Sequence, residues 1–154
     1  MKPDQKFEYS GIAELYDNEK HLKKYNKWVA GMLTKPLERI PSSDIYSDNY
    51  SEEVIHVMDF GSGIGTISKI VQHIRPDLCY HAIEPDKRLH RLNPDGSNLY
   101  QSIPEIPEEY LMDFVFSSNV LEHIPDDTKA IKQISRKMKR GAMFSIYVPA
   151  MQIL

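Results

Sequence analysis

Hydrophobic and polar positions along this chain fall into two alternating periods. Residues 54–60, Val-Ile-His-Val-Met-Asp-Phe, form a mostly apolar, partly β-branched run that ends at a glycine turn, the pattern of a central parallel strand covered on both faces. Beyond the glycines, Ile67, Ile70, Val71 and Ile74 recur at helical spacing and predict one apolar stripe of a helix that stops before Pro76. Residues 79–84 supply a second strand and close a β-α-β unit, whose crossover is expected to be right-handed. A short helix is expected over 86–93, and a short strand over 99–103 in a stretch broken by Pro104 and Pro107. Residues 112–118 and 142–148 read as strands, separated by a helix in which Ala130, Ile131, Ile134 and Met138 share one face. Upstream, the spacing of Leu22, Tyr25, Trp28, Val29 and Met32 predicts a helix over 19–39, joined to the core by a loop of turn formers over 40–53.

Strands alternating with helices predict an open, largely parallel α/β sheet in a single domain over 1–154, with a helical cover over 1–50 and the core over 54–154. Ligands of such sheets bind beyond the carboxyl ends of the strands, so the informative residues are expected there. A chain of 154 residues with 41% hydrophobic and 27% charged residues has the composition of an ordinary soluble protein. No apolar run approaches the roughly 18 residues of a membrane helix, and the first residues lack the apolar stretch of a signal peptide, which places the protein in the cytoplasm without membrane insertion. A net charge of -3 gives no global field to gather nucleic acid, and small or neutral partners are favoured. Cys79 has no internal disulfide partner and reads as a buried structural thiol.

The chemistry concentrates at the strand ends. Gly61, Gly63 and Gly65 lie between a strand and a helix, where glycines permit a tight turn and let backbone N–H groups approach a ligand. Dinucleotide sites place Gly or Ala where this chain has Thr66, so the spacing disfavours NAD. Asp59, at the strand end, would repel a pyrophosphate but attract the sulfonium and ammonium charges of S-adenosylmethionine. Glu84 ends the second strand about 20 residues on, where a carboxylate can accept both ribose hydroxyls of either cofactor.

With these residues in view, the chain resembles the class I S-adenosylmethionine-dependent methyltransferases. The resemblance rests on residues 57–65, Val-Met-Asp-Phe-Gly-Ser-Gly-Ile-Gly, on Ala82-Ile-Glu-Pro85, on residues 113–127 with their Ser-Ser-Asn-Val-Leu-Glu-His block, and on residues 144–150. It runs from about Tyr9 to the last residue and implies a Rossmann-like three-layer sandwich with a mostly parallel sheet. It further implies that Asp59, Gly61, Ser62, Gly63 and Gly65 surround the methionine part of the cofactor. Glu84 would then be the ribose ligand, with Pro85 beside it in the cofactor site, and Ser118, Asn119 and Val120 form the lip of the active site. The residues around 22–30 are also similar to the N-terminal helix of family members that work beside sugar and lipid-linked glycan enzymes, which implies a small-molecule or glycan-precursor acceptor.

Two departures from the family pattern stand out. An acidic residue expected after the third strand, facing the adenine amino group, has no counterpart at Tyr100-Gln101-Ser102. The usual C-terminal antiparallel strand pair is also lacking, as though the chain were truncated after its fifth strand. That leaves an apolar sheet edge for an oligomer, a partner or further chain to cover. A non-catalytic or incomplete cofactor-binding fragment is therefore the rival reading, with a nicotinamide-linked oxidoreductase as a third.

His123 sits just past the fourth strand, where it could act as a general base, although its block equally fits local packing or capping. In-line methyl transfer requires alignment more than a dedicated base, so no catalytic residue is assigned beyond this candidate. The histidines at 21, 56, 73, 81, 90 and 123 show neither His-x-x-x-His spacing nor a Cys-x-x-Cys companion, and no metal is expected. Lys129, Lys132, Arg136, Lys137, Lys139 and Arg140 read as a solvated helix face in preference to a nucleic-acid or membrane surface. Tyr16, Tyr25 and Trp28 fit either a lid over the cofactor or, more simply, core packing.

Overall fold

A computed structural model describes residues 12–40 and 54–149. The loop expected over 40–53 therefore lies, after Ile40, outside the described residues. Five strands, β1 (His56–Phe60), β2 (Cys79–Ile83), β3 (Asn98–Tyr100), β4 (Met112–Ser118) and β5 (Met138–Tyr147), form one sheet in the order β3-β2-β1-β4-β5. Every pairing is parallel, as the near-continuous apolar runs of β1 and β4 require for strands buried on both faces. Helices cover both faces, which gives the expected Rossmann-like α/β sandwich.

Successive side chains of each strand alternate between two cores. Val57, Tyr80, Phe114 and Phe116 face Val29, Ala30 and Leu33 of α2 (Lys23–Thr34) and Val71 of α3 (Thr66–Ile74). On the other face Met58, Ile83, Met112 and Val115 meet Ile103, Ile106 and Ile134, the last from α5 (Asp127–Arg136). The α3 stripe is narrower than its sequence suggests: Val71 is buried and Ile67 and Ile70 partly so, but Ile74 stands in solvent at the last turn. The short helix expected over 86–93 is a single turn, α4 (Lys87–His90), capped by the Asp86 carboxylate accepting from Arg88 N–H. No helix among the described residues is long and apolar enough to cross a membrane.

Three expected elements are redrawn. The helix over 19–39 is broken at Leu22 into α1 (Ile12–His21) and α2, and its end tightens into a 3-10 turn over Lys35–Arg39. Pro36 has no N–H for the α-helical ladder, which stops the regular helix there. Met138 does not share a helix face with Ala130 and Ile134 but opens β5, where it pairs with Met112. The Lys137 ammonium donates to the carbonyls of Ile106 and Pro107 and ends α5 one residue earlier, while Ile131 faces solvent. β5 therefore begins sooner than 142, and its register jumps from Met112↔Met138 to Phe114↔Met143 through a bulge that includes Gly141. The third correction concerns packing: Tyr16, Tyr25, Trp28 and Met32 are exposed, with Trp28 at 56%, because Val29, Ala30 and Leu33 supply the buried face of α2.

Candidate functional site

Glycine chemistry sets the turn that joins β1 to α3. Gly61, Gly63 and Gly65 all have positive φ, at +83°, +54° and +75°, a region that side chains with a Cβ rarely adopt. Space is equally restrictive. A Cβ on Gly61 would run into the methyl groups of Val120, and one on Gly65 would meet the Asn93 backbone and Pro94 at 2.9 Å. The turn is tied to β2 by the N–H groups of Gly61 and Ser62, which both donate to the Ile83 carbonyl, at 2.9 and 3.0 Å.

Glu84 follows β2 and is only 8% exposed. One of its oxygens accepts from the Gly63 N–H at 2.9 Å and the other from the Asp86 N–H at 2.8 Å, so a single carboxylate bridges the glycine turn and the turn after β2. Burial raises its pKa, opposed by those two backbone hydrogen bonds. Each oxygen keeps a further lone pair for another donor. Asp59 is 3% exposed and accepts from the Ser68 hydroxyl at 2.6 Å. Burial pushes its carboxyl up to about 7 against the lowering effect of that bond, and the nearby Glu84 charge adds to the rise. Two buried acids sit beside one glycine turn, and a cationic ligand there would favour their ionised forms.

The lip at the end of β4 is also ordered. Ser117 donates to the Phe60 carbonyl at 2.8 Å and joins β4 to the end of β1. Asn119 takes a left-handed φ of +55°, which Asn tolerates better than most residues, and its N–H donates to the Tyr147 carbonyl at 2.8 Å. Its carboxamide donates to the Ser118 hydroxyl at 3.4 Å. Val120 then packs on Gly61, so the lip and the glycine turn touch. Tyr147 carries an aromatic group at the same end of the sheet: its hydroxyl lies 2.9 Å from that of Tyr25, and its ring stands edge-on to Trp28. The Tyr25 phenol is pushed up to about 12 by that hydrogen bond and by burial, so it remains protonated at neutral pH.

The structure thus brings together Asp59, Gly61, Ser62, Gly63, Gly65 and Glu84, with Ser118 and Asn119 alongside. Pro85 is exposed, and its carbonyl accepts from the Gln101 side chain. His123 is exposed at the end of a 3-10 turn, Leu121–His123, in which Leu121 is buried and whose backbone closes onto Val120. Sequence reasoning missed three supporting residues. Asn93 donates its carboxamide to the Gly63 carbonyl at 3.0 Å, Ser68 holds Asp59, and Glu105 accepts from the Gln101 N–H and the Ser102 hydroxyl, both at 3.0 Å. The only signal for Ser68 was a polar residue in an otherwise apolar helix stripe. Glu105 places an acid beside residues 101 and 102, where the local sequence shows none.

A family model described as a methyltransferase domain matches residues 25–152. The chain belongs to that family. Membership decides between the two cofactor classes that the glycine spacing left open, because these methyltransferases use S-adenosylmethionine. Solved structures agree on the fold of the methyltransferase chain. The plantazolicin methyltransferase BpumL in complex with SAH matches with a TM-score of 0.65 at 11% identity, over 92% of this chain and 53% of its own. CalS10, an amino pentose methyltransferase from Micromonospora echinaspora with bound SAM, matches with a TM-score of 0.63 at 12% identity, over 95% of this chain and 59% of its own. This chain therefore spans little more than half the length of these two structures. No curated protein sequence matches it significantly.

The residues present fit S-adenosylmethionine. The glycines let the turn pack directly on Val120, Asn93 and Pro94, Ser62 Oγ is buried with no hydrogen-bond partner among the described residues, and two carboxyl groups adjoin the turn where the ligand is cationic.

Proposed function

We propose that this chain is the S-adenosylmethionine-binding part of a methyltransferase acting on a small-molecule or glycan-precursor acceptor. The observation that carries the reading is the Glu84 bridge: its carboxylate holds Gly63 and Asp86, and each oxygen retains accepting capacity of the kind a ribose diol requires. Asp59, Gly61, Ser62, Gly63 and Gly65 would hold the methionine part, Glu84 and Pro85 the ribose, and Ser118 and Asn119 the edge next to the acceptor. Glu105, close to Gln101 and Ser102, is a further polar group for the adenine side.

The cofactor supplies a methyl group on a positively charged sulfur. Held by Asp59, the glycine turn and Glu84, it would present that methyl group to an acceptor oxygen, nitrogen or carbon aligned opposite the sulfur. The protein's part is alignment and exclusion of water. Tyr25, Trp28 and Tyr147 offer an aromatic surface with hydroxyl groups next to the Ser118–Asn119 lip, which suits a ring-containing neutral acceptor. His123, exposed beside the same lip, is the candidate for taking the acceptor proton.

Methyl-labelled S-adenosylmethionine incubated with the chain and a panel of sugar and small-molecule acceptors tests this reading. Label transferred to an acceptor, and lost in Glu84→Ala, is the expected result. A second reading, an incomplete binding fragment that needs further chain or a partner, is favoured by the 51–59% coverage of the matched structures. Cofactor binding without transfer to any acceptor would select it.

A further inference from the structure

At the opposite end of the sheet, β1 and β2 begin side by side, with His56 the register partner of Cys79. His81 lies two residues along β2 and so shares the sheet face of Cys79. His56 Nδ1 is 2.9 Å from His81 Nε2, Cys79 Sγ is 3.7 Å from the same nitrogen, and the three atoms all lie within 4.8 Å of one another. We propose that His56, Cys79 and His81 form a binding site for a zinc-class divalent cation, separate from the cofactor cradle, with one coordination position left open to water.

Donor type and geometry both fit. Two imidazole nitrogens and a thiolate are the ligand chemistry of zinc, which binds nitrogen at about 2.0–2.1 Å and sulfur at about 2.3 Å in a tetrahedron. Those bond lengths place the nitrogens about 3.3 Å apart and each about 3.6 Å from sulfur. The nitrogens need to open by a few tenths of an ångström, and the sulfur already stands at the right distance from His81. His81 is fully buried, and its Nδ1 has no hydrogen-bond partner among the described residues. The nitrogen that faces His56 and Cys79 is Nε2, so the ring presents this atom to the cluster.

The surroundings hold the ligands in place. Tyr100 stacks on His81 at 5.9 Å with the rings 12° apart, and Tyr110 packs on both histidines, at 5.0 and 5.2 Å. Asn98 donates to Cys79 Sγ at 3.5 Å and to the Tyr80 carbonyl at 3.1 Å, which fixes the position of the sulfur. Asp113 accepts the His56 N–H at 2.9 Å and fixes the start of β1. His56 and Cys79 are half-buried, which gives a cation a way in. The sequence-spacing rule could not find this site because its ligands come from two strands brought together by the sheet.

The test is titration of the chelator-treated 154-residue chain with Co2+ and then Zn2+, beside Cys79→Ser and His56→Gln variants shown to be folded by circular dichroism. One equivalent of cobalt should give a thiolate-to-cobalt charge-transfer band with the visible bands of four-coordinate cobalt, and zinc should abolish both. Cys79→Ser should lose the charge-transfer band, and His56→Gln should weaken binding at least tenfold. In the same protein, saturating zinc should slow alkylation of Cys79 by iodoacetamide at least tenfold. A folded wild-type chain that shows no charge-transfer band and no zinc protection of Cys79 at micromolar metal would overturn the proposal. Binding unchanged in both variants would overturn it equally.

Discussion

Asp59 and Glu84 show how much a few ångströms of burial change an acid. Asp59 has its folded pKa raised from 3.8 to about 7, chiefly by burial. Between those values the folded chain keeps a proton that the unfolded chain has released, so stability falls as pH rises. The contribution is fully present below about pH 4 and is lost as the pH passes through 7, a change of roughly 4 kcal/mol across the interval. Urea denaturation at pH 5 and pH 8 should show this loss in the wild type and a much smaller one in Asp59→Asn. Glu84 carries a different load, because its oxygens hold two backbone N–H groups. Glu84→Ala leaves both N–H groups without their acceptor and should cost about 1–3 kcal/mol of stability, whereas Glu84→Gln keeps one acceptor oxygen and should cost less.

At the scale of elements, the glycine turn and α2 make separable claims. Gly61 and Gly96 share a left-handed φ, but a Cβ on Gly61 collides with Val120 while one on Gly96 meets nothing within 4 Å. Gly96→Ala should therefore cost only the backbone term of about 1 kcal/mol, and Gly61→Ala clearly more, with loss of cofactor binding; parallel denaturation curves measure the difference. In α2, Leu33 is buried against the sheet and Met32 next to it is exposed. Leu33→Ala should lose about 2–4 kcal/mol, and Met32→Ala well under 1 kcal/mol, by the same curves. These paired changes locate the buried face that helical spacing alone could not orient, since Tyr25, Trp28 and Met32 fit the same period as Val29.

Across the whole molecule, the strand–turn–helix succession around the glycines and the α/β class were legible because they follow from apolar runs and turn residues along short segments, whereas the order β3-β2-β1-β4-β5 arises from long-range pairing. Gly61, Gly63, Gly65, Asp59 and Glu84 stand out as candidates for the same reason: each lies at or just beyond the end of a strand. What the sequence hid was made by long-range pairing. Lys137 reaches back to Ile106 and Pro107 and fixes where β5 begins, and Asn93 reaches back to Gly63 to brace the turn. The grouping of His56, Cys79 and His81 exists only once β1 and β2 are in register. Exposure of Trp28 and the edge-on packing of Tyr147 against it likewise depend on how α2 lies on β5, which no local pattern specifies.

The central claim is that the Glu84-bridged glycine turn binds S-adenosylmethionine. Calorimetric titration of the chain with S-adenosylhomocysteine, the product form that cannot react, tests it most directly when run beside Glu84→Gln. The account predicts micromolar binding by the wild type and an affinity at least tenfold weaker in the variant, or about 1.4 kcal/mol. A demonstrably folded chain that binds no S-adenosylhomocysteine, or a variant that binds it as tightly as the wild type, would contradict it.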